Sequence, residues 1–184
     1  MPPIKGLIQP TIPTTIPFQW ADLSLDEHYL ITNQGRSSVI TLVDLEARTA
    51  RSIALAPEAE ITGGVALNHG WINRGLLAVH HSDHIAAHSF DPAAIGPLVA
   101  VASHSIASPK HDDPMMIHYA IRWNAVGDKI VATSRNNGGN RIFSLGANGE
   151  LDDLGSIPNC TVLPNDLWTA NGLLVPSPTP TATR

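Results

Sequence analysis

Short apolar runs alternate with polar or glycine-containing turns along this chain. Tyr29-Leu30-Ile31-Thr32, Gly75-Leu76-Leu77-Ala78, Lys129-Ile130-Val131-Ala132 and Gly172-Leu173-Leu174-Val175 align as four copies of one strand. Their spacings are roughly 46, 54 and 43 residues, the period of architectures that repeat one supersecondary unit. The first unit predicts strands over Phe18–Leu23, His28–Asn33, Ser38–Leu45 and Arg51–Ala56. In the third of these, Val39, Thr41 and Val43 alternate with Ile40, Leu42 and Asp44, so both faces are largely apolar. A strand packed between neighbouring sheets reads this way.

The second unit predicts strands over Gly64–Asn68, Gly75–His81, His84–Phe90 and Leu98–Ile106, with Ser82-Asp83 as a two-residue turn. The third predicts His118–Trp123, Lys129–Ser134, Arg141–Leu145 and Leu151–Ile157, with Asn136-Asn137-Gly138-Gly139 as a turn. Asn-Gly is a strong hairpin signal because its residues accept positive φ. A fourth unit starts at Thr161 and reaches Val175. Superposed on unit three, Arg184 falls opposite Arg141, just before a third strand is due. The expected fold is all-β, with about three and a half four-stranded antiparallel meanders. Its units are 18–60, 63–107, 117–158 and a partial 161–175. Residues 1–17 form an N-terminal extension or a closing strand, and 176–184 form a Pro/Thr-rich tail or an interrupted turn.

This layout resembles a β-propeller, specifically the repeats named for a Tyr-Val-Thr-Asn strand, with Tyr29-Leu30-Ile31-Thr32-Asn33 and Ile130-Val131-Ala132-Thr133 as the nearest copies. Phe90-Asp91-Pro92 and Leu145-Gly146-Ala147-Asn148-Gly149-Glu150-Leu151 are similar to the third-to-fourth strand turns of lactonase-type propellers. The Gly-His and Trp-Asp dipeptides of WD repeats are absent from those positions. Trp20, Trp71, Trp123 and Trp168 recur near each first turn and read as packing residues. The resemblance implies an incomplete ring, since three and a half blades fall short of the usual six to eight. Unpaired strand edges invite association, so self-association or a chain completing the propeller is expected.

Composition narrows the partners. A net charge of −5 gives no basic face for nucleic acid and no polybasic membrane patch. No apolar run is long enough to span a membrane, and Met1 to Phe18 lacks the apolar core of a signal peptide. The lone Cys160 cannot form an intrachain disulfide and favours a reduced, cytoplasmic setting.

Candidate chemistry lies in the histidines, nine in number, four of them within His80-His81-Ser82-Asp83-His84-Ile85-Ala86-Ala87-His88. A Ser82-Asp83 turn makes His81 and His84 cross-strand partners and turns His80 to the opposite face. As exposed turn residues, they are expected to tolerate replacement. The propeller resemblance implies that this turn shares a face with the linker into the next unit, which carries His111, Asp112 and Asp113. His118 and the turn Arg135-Asn136 lie beside it on the same reading. The set His81, His84, His111, Asp112, Asp113, His118, Arg135 and Asn136 is therefore the candidate ligand site. It is either a solvated His-rich surface or a place for acid-base chemistry or a divalent metal, with His81, His84 and Asp112 as ligands. No cofactor is required by any motif: phosphate loops, His-Glu-x-x-His, Gly-x-Ser-x-Gly and paired cysteines are all missing.

Two functions fit. One is a propeller module that binds a protein or a small ligand on its loop-bearing face. The other is a lactonase-like or other propeller hydrolase with a His/Asp rim site. Against the second, Asp113-Pro114-Met115-Met116-Ile117-His118 stands where some such lactonases carry Pro-Arg-His.

Overall fold

The computed structural model describes residues 20–33, 37–58, 60–70, 72, 74–106, 120–134, 139–146 and 149–157. The expected fourth unit and both tails lie outside them. Among the described residues there is no helix, and the chain is all-β and propeller-like. Three four-stranded meanders follow one another. The first comprises β1 (Trp20–Leu23), β2 (Tyr29–Asn33), β3 (Val39–Asp44) and β4 (Thr49–Ala56). The second comprises β5 (Ile61–Leu67), β6 (Leu76–His81), β7 (His84–Ser89) and β8 (Leu98–Ser105), and the third β9 (Ile121–Trp123), β10 (Lys129–Ser134), β11 (Gly139–Leu145) and β12 (Leu151–Ile157). Every pairing within a meander is antiparallel.

The first two blades are joined at their outer strands by a short parallel pairing, Leu55 with Leu98 and Ala56 with Val99. The resulting eight-stranded sheet has the order β1-β2-β3-β4-β8-β7-β6-β5, and its two ends, β1 and β5, lie against each other. The innermost strand of the third blade, β9, lies beside β5 in turn. The three first strands therefore stand side by side along the inner edge of the arc.

Two apolar layers hold the blades together, and they are built differently. Between blades one and two, branched side chains meet from both sides: Ile31, Ile40, Leu42 and Ile53 against Val65, Leu77, Val79 and Leu98. Between blades two and three, the second blade presents Ala66, Ala78, Ala87 and Ala102 to Ile121, Trp123, Ile130 and Phe143. Small residues on one face let the bulkier ones approach closely, which keeps packing dense. A fully buried Ile or Leu is worth about 1.5–3 kcal/mol over an exposed one, so these layers dominate the stability of the arc.

The first-to-second strand turns of blades one and three share one hydrogen-bond scheme. Ser24 N–H donates to Tyr29 O at 2.8 Å and Asn124 N–H to Lys129 O at 2.9 Å. The fourth turn residue has positive φ in both, 59° at Glu27 and 89° at Gly127. A left-handed conformation costs a side-chain-bearing residue about 1–2 kcal/mol, while glycine's extra unfolded-state entropy offsets about 0.5–1 kcal/mol. Glu27→Gly is therefore expected to stabilise the protein by about 0.5–1 kcal/mol. An unchanged or lowered urea midpoint would show that the turn gains nothing from glycine.

Candidate functional site

The Ser82-Asp83 turn forms, and the His81 and His84 rings stack with centroids 4.2 Å apart. Their surroundings differ from expectation. His81 is completely buried and His84 keeps only 14% of its side chain exposed. The reason is register. β6 pairs β7 so that Leu77 opposes His88 and Val79 opposes Ala86. Leu77 and Val79 face blade one, and strand alternation puts His81, His84 and His88 on that same face. His80 faces the other way, also buried.

These rings form a graded chain from surface to interior. The Nδ1–H of His84 donates to Asp83 Oδ1 at 2.6 Å, which holds the Asp83 carboxyl below the usual carboxylate range. Nε2 of His81 lies 3.3 Å from Nε2 of His88, and the Nδ1–H of His88 donates to Leu98 O at 3.3 Å. With that tautomer, His81 is the donor between the two Nε2 atoms. The Nδ1–H of His80 donates to His81 O at 2.9 Å. Burial pushes both His80 and His88 down to about 4, so those two rings are neutral near pH 7. The Asp83–His84 pair is the part that could orient a general base.

His111, Asp112, Asp113, His118, Arg135 and Asn136 lie outside the described residues, and with them the third proposed metal ligand. Among the described residues, no group of three or more His, Cys, Asp or Glu side chains is placed to hold a metal ion.

A second polar constellation gave no sequence signal. It lies at the other end of the inner strands, since Leu67 pairs with Leu77 while Ile61 pairs with His81. At about 3.3 Å per residue, the two ends of β5 are about 20 Å apart. Asp22 of β1 is fixed there by two backbone donors. Oδ2 accepts Leu67 N–H at 2.8 Å, and Oδ1 accepts Leu23 N–H at 3.0 Å. Arg122 of β9 brings Nη1 to 3.7 Å from Oδ2, and His69, just beyond β5, brings Nε2 to 3.8 Å from Oδ1. Each of three adjacent blades thus contributes one polar side chain. The partly exposed Asp22–Arg122 ion pair adds at most about 1 kcal/mol of stability at that distance.

Around this cluster is a cavity of about 210 Å³ lined by Asp22, Leu67, His69, Arg122, Trp123 and Asn124. A larger groove of about 480 Å³ shares Leu67 and His69 and continues past Leu25, Arg74 and Phe90. The floor is rigid. Trp123 Nε1–H donates to Ala66 O at 3.1 Å, and Asn68 Nδ2 donates to Gly127 O at 2.9 Å and Ile72 O at 3.1 Å. A third hollow, about 450 Å³, lies between blades two and three beside His104, whose Nδ1–H donates to Leu151 O at 2.9 Å. There Arg141 pairs with Asp153, and His104 Nε2 stands 3.9 Å from the same carboxylate.

No protein-family model matches the chain, and no curated protein matches it significantly in sequence. Solved propellers do resemble it in structure. A putative 6-phosphogluconolactonase from Bacteroides uniformis superposes with a TM-score of 0.59 at 17% identity, covering 84% of this chain and 45% of that one. Hsv2 from Kluyveromyces lactis gives 0.55 at 11% identity, covering 78% and 48%. A chain of the mitotic checkpoint complex gives 0.54 at 17% identity, covering 77% and 37%. The chain spans less than half the length of each. At these identities the likeness shows the propeller fold and nothing of activity.

Proposed function

We propose that this chain is a propeller binding module that takes a small polar ligand at the inner-strand end where Asp22, His69 and Arg122 meet. One observation carries this reading: three consecutive blades each deliver a polar side chain, from positions far apart in sequence, to a single cavity of about 210 Å³. Binding sites are concave, with a few convergent polar groups on a rigid frame, and the inner strands supply that frame. The site faces the end bearing the first-to-second strand turns, away from the His81–His84 turn.

Ligand-induced stabilisation tests it. The panel comprises gluconate, glucose, citrate, inorganic phosphate and the common amino acids, each at millimolar concentration. A ligand present at 100 times its Kd stabilises by about 2.7 kcal/mol, a rise in Tm of about 5–10 °C for a chain of this size. At least one compound is expected to raise the Tm of the wild type and to lose that effect in both Asp22→Asn and Arg122→Gln. A response that is identical in wild type and variants, or absent throughout, overturns the proposal.

A further inference from the structure

We propose a second binding site, in the groove of about 480 Å³ beside the polar cavity, for a small carboxylate joined to an apolar body. Its volume is that of a small-molecule pocket, and such pockets are mainly apolar with a few placed polar groups. Three anchored segments supply the apolar wall. Leu25 stands in the turn between β1 and β2, which is closed by Ser24 N–H to Tyr29 O at 2.8 Å and Glu27 N–H to Ser24 O at 2.9 Å. Phe90 follows β7, and its N–H donates to Gly75 O at 2.7 Å. Leu67 ends β5, with its N–H on Asp22 Oδ2 at 2.8 Å. Leu25 is nonetheless 66% exposed, a large apolar side chain held in water by a fixed turn. An apolar body lying along Leu25, Leu67 and Phe90 takes that surface out of water.

The charge of the ligand follows from Arg74, which lines the same groove. Its Nε–H donates to Gly70 O at 3.4 Å, and among the described residues its guanidinium makes no ion pair. The anchoring Gly70 is itself fixed, since its N–H donates to Asn68 Oδ1 at 2.8 Å. The other charged groups of the wall are engaged. Asp26 Oδ1 accepts Ser24 Oγ–H at 2.5 Å and His28 N–H at 3.2 Å, and Oδ2 faces His28 Nδ1 at 3.9 Å. His69 turns Nε2 towards Asp22 Oδ1, 3.8 Å away. With Nε on Gly70, the two Nη groups of Arg74 remain for an anion, and a guanidinium matches carboxylate geometry. Other small ligands satisfy only part of this set. A sugar sets hydroxyls against the apolar wall. An amine meets Arg74 with like charge. An inorganic anion leaves Leu25 and Phe90 uncovered.

Calorimetric titration of the full chain with 3-phenylpropanoate tests the proposal, with 3-phenylpropanamide and propanoate as partial ligands. The amide keeps the apolar body without the charge, and propanoate keeps the charge without the body. 3-Phenylpropanoate is expected to bind at one equivalent, and each partial ligand to bind about 10-fold or more weakly. Two variants at exposed positions, which leave the core untouched, separate the contacts. Arg74→Gln is expected to weaken 3-phenylpropanoate about 10-fold or more and leave the amide unchanged. Leu25→Ser is expected to weaken both aromatic ligands about 5-fold or more. Binding of 3-phenylpropanoate that is absent at millimolar concentration, or equal in wild type and Arg74→Gln, overturns the proposal. Binding that is lost in Asp22→Asn but kept in Arg74→Gln overturns it too, and places the ligand in the polar cavity instead.

Discussion

Acidification from pH 6 to pH 5 is expected to lower the unfolding free energy of this protein by about 2–3 kcal/mol, well before its carboxylates protonate. Two buried imidazoles set this figure. Burial holds His80 and His88 at about 4, against about 6.5 in an unfolded chain. A depressed histidine value means that the unfolded chain binds more protons between these limits. Stability is therefore complete above about pH 6.5 and falls as pH drops towards 4. Each histidine contributes a slope of about 1.4 kcal/mol per pH unit inside the window, and about 3.4 kcal/mol over its whole width. Both together approach 7 kcal/mol, comparable to the entire stability of an ordinary domain. Urea midpoints at pH 7.5, 6.5, 5.5 and 4.5 measure the effect. His80→Leu is expected to halve the slope, whatever it does to stability at pH 7.5. A flat profile above pH 5, or an unchanged slope in the variant, would show that the hairpin takes up protons without loss. Asp83 acts in a lower window: the His84 hydrogen bond lowers its value, so its contribution disappears only as pH falls below about 4.

The same histidines show where sequence reading stops. The strands were legible because their residues alternate and their turns are short. The Ser82-Asp83 turn, the His81–His84 pairing and the Lys129–Ser134 and Leu151–Ile157 strands follow from local chemistry alone. The burial of His81 does not. A histidine next to a polar turn looks solvated, and only the approach of blade one seals that face of the hairpin. The Asp22–His69–Arg122 cluster is further from view. Each is a single polar residue at the end of an inner strand, with no spacing to mark it. Asp22 resembles any turn-proximal aspartate until the propeller's curvature sets β1, β5 and β9 side by side. His111, Asp112, Asp113, His118, Arg135 and Asn136 come together only on an assumed face of the ring, and they lie outside the described residues.

Gly127→Ala is expected to destabilise the protein by about 3–5 kcal/mol, more than the same change at Gly70 or Gly75. Two penalties coincide. With φ at 89°, the backbone is in a region that costs an L-residue about 1–2 kcal/mol. A Cβ there would also lie 2.3 Å from Ile72 O and 2.5 Å from Asn68 Oδ1. Neither atom can withdraw cheaply. Ile72 N–H donates to Val126 O at 3.0 Å, Asn68 Nδ2 donates to Gly127 O, and Asn68 Oδ1 accepts Gly70 N–H at 2.8 Å. Each bond lost costs about 1 kcal/mol, and more if a buried partner is stranded. Gly70→Ala separates the two penalties, because its Cβ would meet Val126 O at 2.3 Å with no positive φ involved. About 2–3 kcal/mol is expected for it. Gly75→Ala carries only the conformational part, since its φ is 86° and the nearest atom is 3.7 Å away; with glycine's unfolded-state entropy set against it, about 0.5–1 kcal/mol is expected. Denaturant unfolding of the three variants ranks them. Equal losses at Gly127 and Gly75 would mean that the blade-two loop and the blade-three turn do not pack as tightly as the structure places them. In that case the floor beneath Asp22, His69 and Arg122 would yield as well. The order Gly127, Gly70, Gly75 would instead establish that this interblade seam is rigid, as a preformed binding cavity requires.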